Sequence, residues 1–236
     1  MRTSCKVIIG ILVVINVLFL GIVFKNTGDS ITDRELNKAF LATVEITVTS
    51  LDYESYHGTG FVIDSEGLII TNKHVVVNEQ TSEAYNGIFV FFPSTDMNYS
   101  ATLVYQSEMD DIAILDIDCD EEFKKLDLAT SNEVHLGDLI YCIGNVQGTG
   151  LAVYFGNIAS NIRLVEYDDK QVEAIQMDLE IYPGMSGGPI INAEGKVVGI
   201  ATFRIIEQGS TPAEGMNFAL SFETIQNNLD EYLSIE

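Results

Sequence analysis

The feature that most constrains this chain is a single serine set among glycines. Residues 184–189 read G-M-S-G-G-P, which places Ser186 between Gly184 and a glycine pair. Glycine adopts at low cost backbone angles that other residues avoid, and it lets a substrate approach the main chain closely. A plain β-turn between two strands would use the same residue types. If Ser186 is instead a nucleophile, the rest of the chain must supply a base and a group that orients that base.

Two further motifs supply these groups. Residues 71–76 read T-N-K-H-V-V and place His74 after an apolar run, and residues 110–115 read D-D-I-A-I-L and place an aspartate at the start of a strand. Alone, such a histidine is usually a packing or surface residue, and such an aspartate merely begins a strand. Together with Ser186 they occur in the chain order of chymotrypsin, histidine then aspartate then serine. The sequence therefore predicts a catalytic triad.

With these motifs the chain resembles trypsin-fold serine proteases of the HtrA/Deg type, over about residues 42–225. The blocks that carry the resemblance lie in the family's order and at about its spacing. Besides the three motifs above they are G-T-G-F-V-I at 58–63, G-D at 137–138, I-G-N at 143–145, G-N-I at 156–158, I-Q-M-D at 175–178, G-I-A at 199–201 and N-F-A-L at 217–220. The resemblance implies a serine endopeptidase that acts on proteins or peptides, with a role in protein quality control.

The resemblance also assigns roles to single residues. It selects Asp111 over Asp110 as the partner of His74, because the family motif places the aspartate directly before Ile-Ala. It assigns the oxyanion hole to the backbone N–H groups of Gly184 and Ser186. Such donors stabilise the negative charge that develops on the attacked carbonyl oxygen.

The family's substrate pocket maps onto Glu180, Ala201 and Phe203. Glu180 lies six residues before Ser186, at the base of that pocket, where relatives usually have a small residue. A carboxylate there predicts a preference for a basic residue before the scissile bond, and a surface-facing Glu180 is the alternative. Met185 also departs from the family, which usually has asparagine before the serine.

Short segments with strand-like patterns, separated by turn residues, predict an all-β fold. Val44, Ile46 and Val48 alternate with polar residues, the period-two pattern of a half-buried strand. Six or so such segments in the first half suggest a small antiparallel barrel, and a second set of six follows. The resemblance implies two six-stranded barrels, at about 42–135 and 136–221, within a protease domain of residues 42–236. An amphipathic helix is predicted at 222–233.

The N-terminus predicts a membrane anchor. Residues 7–24 are almost entirely apolar and lie between Lys6 and Lys25. A helix of that length reaches about 27 Å, close to the thickness of a bilayer core. Because the positive flank precedes the run, the protease domain is predicted to face away from the cytoplasm. A cleaved signal peptide, giving a secreted protein, is the alternative, although no A-x-A pattern follows the run. Residues 26–41 then read as a linker and a short helix.

The charge and composition of the chain limit which molecules it is expected to bind. The formal net charge is −23, with 35 acidic against 12 basic residues, which argues against nucleic acid. Without C-x-x-C or a metal-spaced His/Cys cluster, we expect no metal and no cofactor. The family resemblance suggests a homotrimer, and we expect the chain to lack the PDZ domain that follows the protease in many relatives. A protease-fold binding or chaperone-like module with a resting triad is the alternative function.

Overall fold

The structure, a computed structural model, describes residues 30–50, 54–78, 81–167, 170–207 and 211–235. The apolar run at 7–24, and with it the predicted membrane anchor, lies outside these residues. Within the described ranges, no helix is long and apolar enough to cross a bilayer.

Antiparallel strands build nearly half of the described chain. In chain order they are β1 (Thr43–Thr49), β2 (Ser55–Val62), β3 (Ile69–Thr71), β4 (Val77–Asn78), β5 (Glu83–Ala84), β6 (Gly87–Phe92), β7 (Met97–Ser100), β8 (Thr102–Gln106), β9 (Ala113–Asp116), β10 (Leu139–Asn145), β11 (Leu151–Asn157), β12 (Arg163–Tyr167), β13 (Lys170–Met177), β14 (Pro189–Ile191), β15 (Val197–Glu207) and β16 (Thr211–Ser221). Seven form a first sheet in the order β7-β6-β1-β2-β3-β9-β8. Seven more form a second in the order β11-β10-β14-β15-β16-β13-β12, and β4 pairs with β5 alone.

In the described residues, three α-helices and two short 3-10 helices (Ser131–Glu133 and Val146–Gly148) accompany the strands. The α-helices are α1 (Asp33–Leu41), α2 (Lys73–Val76) and α3 (Phe222–Ile235). Thr32 caps α1, because its hydroxyl accepts a hydrogen bond from the Glu35 N–H at 3.2 Å. This bond satisfies one of the N–H groups that a helix start leaves unpaired. The four-residue α2 follows β3 after a single residue, so the strand fixes where the helix begins.

The alternation in β1 gives the first sheet its inner face. Val44, Ile46 and Val48 are buried, whereas Glu45 and Thr47 are partly exposed, as the sequence pattern predicts. The buried side chains pack against those of β6 and β9 in one apolar cluster. Burial of these branched side chains is the main force that holds the sheet together.

Both sheets curl back on themselves. The edge strands β7 and β8 of the first sheet are separated along the chain only by Ala101, so the two edges must lie near each other. In the second sheet an isolated bridge pairs Ile158, just after β11, with Met177 at the end of β13. Each sheet therefore encloses its own core, as expected for a barrel.

The prediction of six strands in each barrel was wrong, because each sheet has seven. The first sheet gains β7, a four-residue strand with three exposed residues and one half-buried residue. The second gains β12, which is exposed at four of its five residues. Both are edge or near-edge strands, where backbone pairing does not require the apolar alternation that marks a strand in a sequence.

A third apolar cluster lies between the two sheets. Phe61 and Ile70 contribute from the first sheet, Ile143 and Ile200 from the second, and Ile225 from α3, and all five are fully buried. Residues 31–236 accordingly form one compact unit. The shared core fixes the two sheets against each other, so loops from both can build one site.

Candidate active site

The turn that carries Ser186 depends on glycine. Gly184 and Gly187 have φ angles of +91° and +85°, in the region that favours glycine. A β-carbon at Gly184 would overlap the carbonyl oxygen of Asn145, and one at Gly187 would overlap the backbone of Thr59. The two glycines are therefore required by the fold of the turn, which leaves Ser186 half-buried just before β14.

Hydrogen bonds fix the direction of two N–H groups in this turn. The Pro183 carbonyl accepts from the Gln147 N–H at 2.8 Å, and the Met185 carbonyl accepts from the Gly188 N–H at 2.9 Å. In a trans peptide the C=O and N–H point in opposite directions, so the N–H groups of Gly184 and Ser186 point away from these partners. Neither N–H has an acceptor among the described residues. Both are thus available to a bound anion, and their role as oxyanion donors stays a prediction.

His74 and Asp111 meet because β3 and β9 pair. Thr71, at the end of β3, lies opposite Ala113 of β9, so the residues that follow one strand and precede the other come together. His74 Nδ1 lies 2.6 Å from Asp111 Oδ2, and the His74 N–H donates to Asp111 Oδ1 at 2.9 Å. The Asn72 side-chain amide donates a hydrogen bond to the Asp111 backbone carbonyl at 2.8 Å. Both carboxylate oxygens of Asp111 are therefore used to orient one histidine.

The surroundings of Asp111 favour its charged form. Burial by itself would raise the pKa of this carboxyl, but attraction to His74 and the two hydrogen bonds from His74 outweigh it and lower the pKa. An ionised Asp111 accepts a hydrogen bond from the Nδ1–H of His74. When His74 is neutral, the other ring nitrogen, Nε2, therefore carries no proton. That tautomer is the one a general base needs.

The neighbouring Asp110 has a different partner. Its Oδ2 accepts a hydrogen bond from the buried Asn228 side chain of α3 at 2.8 Å. The Asn228 side-chain oxygen in turn accepts from the Tyr105 hydroxyl at 2.9 Å. The two consecutive aspartates are thus separated by function: Asp111 faces His74, and Asp110 ties the same loop to the C-terminal helix.

One residue of the first sheet connects it to the serine turn, and the sequence patterns did not single it out. Thr59 of β2 donates its N–H to the Ser186 carbonyl at 2.9 Å and its hydroxyl to the Gly184 carbonyl at 2.7 Å. The available signal was a hydroxyl residue between two glycines, directly before the apolar Phe61 and Val62. Thr71 donates its own hydroxyl to the Thr59 carbonyl at 2.7 Å, which links this contact to the strand before His74.

The predicted substrate-pocket residues are not all alike. Ala201 is buried behind the serine turn. Its carbonyl accepts a hydrogen bond from the Gly187 N–H, and its N–H donates to the Gly188 carbonyl, both at 2.9 Å. Phe203 is only 4% exposed, because Tyr167 covers one side of its ring at 4.0 Å between ring centroids. Glu180 is half-buried between two buried neighbours and has no hydrogen bond or ion pair with the described residues. Ala201 therefore adjoins the serine, and Phe203 lies beneath Tyr167.

Comparison with known proteins agrees with this geometry. A family model described as "Trypsin-like peptidase domain" matches residues 58–200, more than half of the chain, and the match includes all three triad positions. The chain belongs to the trypsin-like peptidase family and, within it, to the HtrA/Deg serine proteases.

Individual relatives are similar over most of this chain. Serine endoprotease DegS of Haemophilus influenzae is 32% identical over 167 residues, which are 70% of this chain and 47% of that protein. Protease Do-like 5, chloroplastic, of Arabidopsis thaliana is 30% identical over 207 residues, 85% of this chain and 59% of that protein. The solved structure of the HtrA-type protease AlgW with tripeptide has a TM-score of 0.73 at 27% identity, and covers 83% of this chain and 61% of that chain. The chain thus spans about half the length of these relatives, in their protease-domain region.

The charge on Asp111 predicts how acid affects stability. Because its pKa is lowered by folding, the His74–Asp111 pair stabilises the native state fully above the ordinary carboxyl pKa of 3.8, and this contribution is lost as the pH falls below it. The Asp111→Asn variant should therefore be less stable than the wild type at pH 6, with a difference that shrinks only as the pH falls from about 4 to about 2. Urea unfolding between these pH values measures it.

The matched control is Asp230→Asn. Asp230 is an exposed carboxylate on α3 whose partner is the neutral Gln226 side chain, so its variant should track the wild type across the range. If the Asp111→Asn and wild-type curves ran parallel from pH 6 to about pH 2, the ionised pair would not be a source of stability.

Proposed function

We propose that the protein is a serine endopeptidase that cleaves proteins or peptides through an acyl-enzyme, with His74, Asp111 and Ser186 as its triad. The observation that carries the proposal is the double hydrogen bond between His74 and Asp111, with Nδ1 to Oδ2 at 2.6 Å. A histidine held at two points by one carboxylate is oriented far more narrowly than packing requires. The family membership of the chain supports the same function.

Each residue has a defined step in this mechanism. The Ser186 oxygen attacks the scissile carbonyl while His74 Nε2 removes the hydroxyl proton, and Asp111 stabilises the imidazolium that forms. The carbonyl oxygen becomes an oxyanion and accepts hydrogen bonds from the N–H groups of Gly184 and Ser186. Collapse breaks the C–N bond, and His74 returns its proton to the leaving amine. A water molecule, deprotonated by His74, then repeats the attack and releases Ser186.

Covalent labelling tests the proposal. The full chain in detergent should react with a fluorophosphonate, and the label should be lost in Ser186→Ala and His74→Ala. Peptide hydrolysis in these variants should fall by about 10⁴-fold or more. The adjacent pair Asp111→Asn and Asp110→Asn offers a matched control, because only Asp111 contacts His74.

Asp111→Asn should lose about 10⁴-fold in kcat, the size of effect known for this substitution in the chymotrypsin-type triad, while Asp110→Asn should lose far less. A wild type that never labels would contradict catalysis. It would favour a binding or chaperone-like module on the protease fold.

We also propose that residues 7–24 anchor the protein in the cell membrane as a single span, with the protease domain outside the cytoplasm. The length of the run and its flanking lysines support this. The full chain should stay with membranes after alkaline carbonate washing. A Val14→Arg/Leu18→Arg variant should be released, because each central arginine costs about 3 kcal/mol in insertion. Release of the wild type by carbonate, or a mature chain lacking these residues, would favour the secreted alternative.

We propose further that Glu180 selects a basic residue before the scissile bond. Its half-buried carboxylate, six residues before Ser186 and without an ion-pair partner among the described residues, supports this. Peptides with lysine or arginine at that position should be cleaved at least about tenfold faster than those with valine or alanine, and Glu180→Gln should abolish the difference. Glu173→Gln removes the same charge from an exposed site on β13 and should not. Equal cleavage of both peptide classes by the wild type would exclude the role.

Assembly as a homotrimer stays a prediction of the family resemblance.

A further inference from the structure

Thr59 is fully buried, and every polar group it has is hydrogen-bonded around the serine turn. Its hydroxyl donates to the Gly184 carbonyl at 2.7 Å and accepts from the Asn145 N–H at 2.8 Å. Its N–H donates to the Ser186 carbonyl, and its carbonyl accepts from the Thr71 hydroxyl. The hydroxyl therefore bridges two segments of the second sheet from a strand that belongs to the first.

The Gly184 carbonyl, which accepts from the Thr59 hydroxyl, lies along the chain between the two proposed oxyanion donors, the N–H groups of Gly184 and Ser186. Pro183 and Gly184 share the first of three successive peptide groups, whose carbonyl is held by the Gln147 N–H. The third, between Met185 and Ser186, is held at its carbonyl by the Gly188 N–H. The middle group is held at its carbonyl by the Thr59 hydroxyl. The N–H of this middle group also donates to the Tyr182 carbonyl at 3.0 Å. Because Gly184 has no side chain and a φ of +91°, the orientation of its two peptide groups depends on these few hydrogen bonds.

We propose that Thr59 is a positioning residue for the oxyanion hole. Its hydroxyl keeps the Gly184 peptide groups in the orientation that presents the Gly184 N–H to the substrate. This inference rests on the proposed peptidase function and deepens it. Through Thr59, the orientation of the serine turn is coupled to the first sheet, whose strands β3 and β9 place His74 and Asp111.

The hydroxyl is well suited to this task because its side chain is fully buried, its bond from the Asn145 N–H is buried and its bond to the Gly184 carbonyl is partly buried. Without it, the Gly184 carbonyl and the Asn145 N–H would each lose a partner, and the Asn145 N–H would lose it in a buried place. Leaving such groups unpaired is unfavourable enough to change a local conformational equilibrium. The turn would then populate other orientations of the Gly184 peptide, and only the remaining fraction of molecules would be competent for catalysis.

The test compares Thr59→Val, which replaces the hydroxyl with a methyl group, with Thr59→Ser, which retains it. Thr43→Val is the matched control, because Thr43 is also a buried strand threonine whose hydroxyl donates to a carbonyl, that of Ala39 at 2.8 Å, far along the chain from the turn. Steady-state hydrolysis of a peptide substrate by the full chain gives kcat and KM. The inhibition constant of a peptidyl trifluoromethyl ketone, which forms an oxyanion with the serine, reports the oxyanion hole directly.

Thr59→Val should lower kcat about tenfold to a hundredfold and weaken the ketone by a similar factor, with KM changed less than about threefold. Thr59→Ser and Thr43→Val should stay within about threefold of the wild type. Wild-type values for Thr59→Val, or equal losses in Thr59→Val and Thr59→Ser, would overturn the positioning role. An unreactive wild type would instead overturn the peptidase function itself, and the positioning role with it.

Discussion

The hydrogen bond from the Thr59 N–H to the Ser186 carbonyl, at 2.9 Å, joins the two halves of this molecule where its chemistry is expected. Each sheet has its own apolar core, and the cluster between them brings the sheets together without directional contacts. Apolar packing tolerates small shifts that a reaction does not. The backbone bonds of Thr59, and the tight contact of Gly187 with it, supply the direction that packing lacks.

The residues of the candidate site could be predicted from the sequence because each lies in a short local motif. His74 follows β3, Asp111 precedes β9 and Ser186 precedes β14, so their placement needs only the ends of strands. The strands themselves were harder to count. Met97–Ser100 and Arg163–Tyr167 are short edge strands that pair through their backbones. Only one residue in each is even partly buried, so they carry little of the apolar signal of an inner strand.

Contacts between distant segments were the least predictable part of the site. Thr59 lies 125 residues from Gly184 along the chain, and Asn228 lies 118 residues from Asp110. A glycine-rich motif indicates that a backbone must come close, but it does not say to what. Phe203 illustrates the same limit, since Tyr167, which covers its ring, lies on β12, one of the two strands that the pattern missed.

The hydrogen bond between Asn228 and Asp110 has a consequence for the order in which parts of the molecule unfold. Tyr105, Asn228 and Asp110 form a chain of hydrogen bonds that ends one residue from Asp111. If helix α3 frays past its middle, the loop that orients His74 loses its contact with Asn228. Helix ends open at lower free energy than central strands in most proteins. The integrity of the last helix and the geometry of the proposed triad are thus linked equilibria, so the molecule can lose its active arrangement while both sheets are still folded.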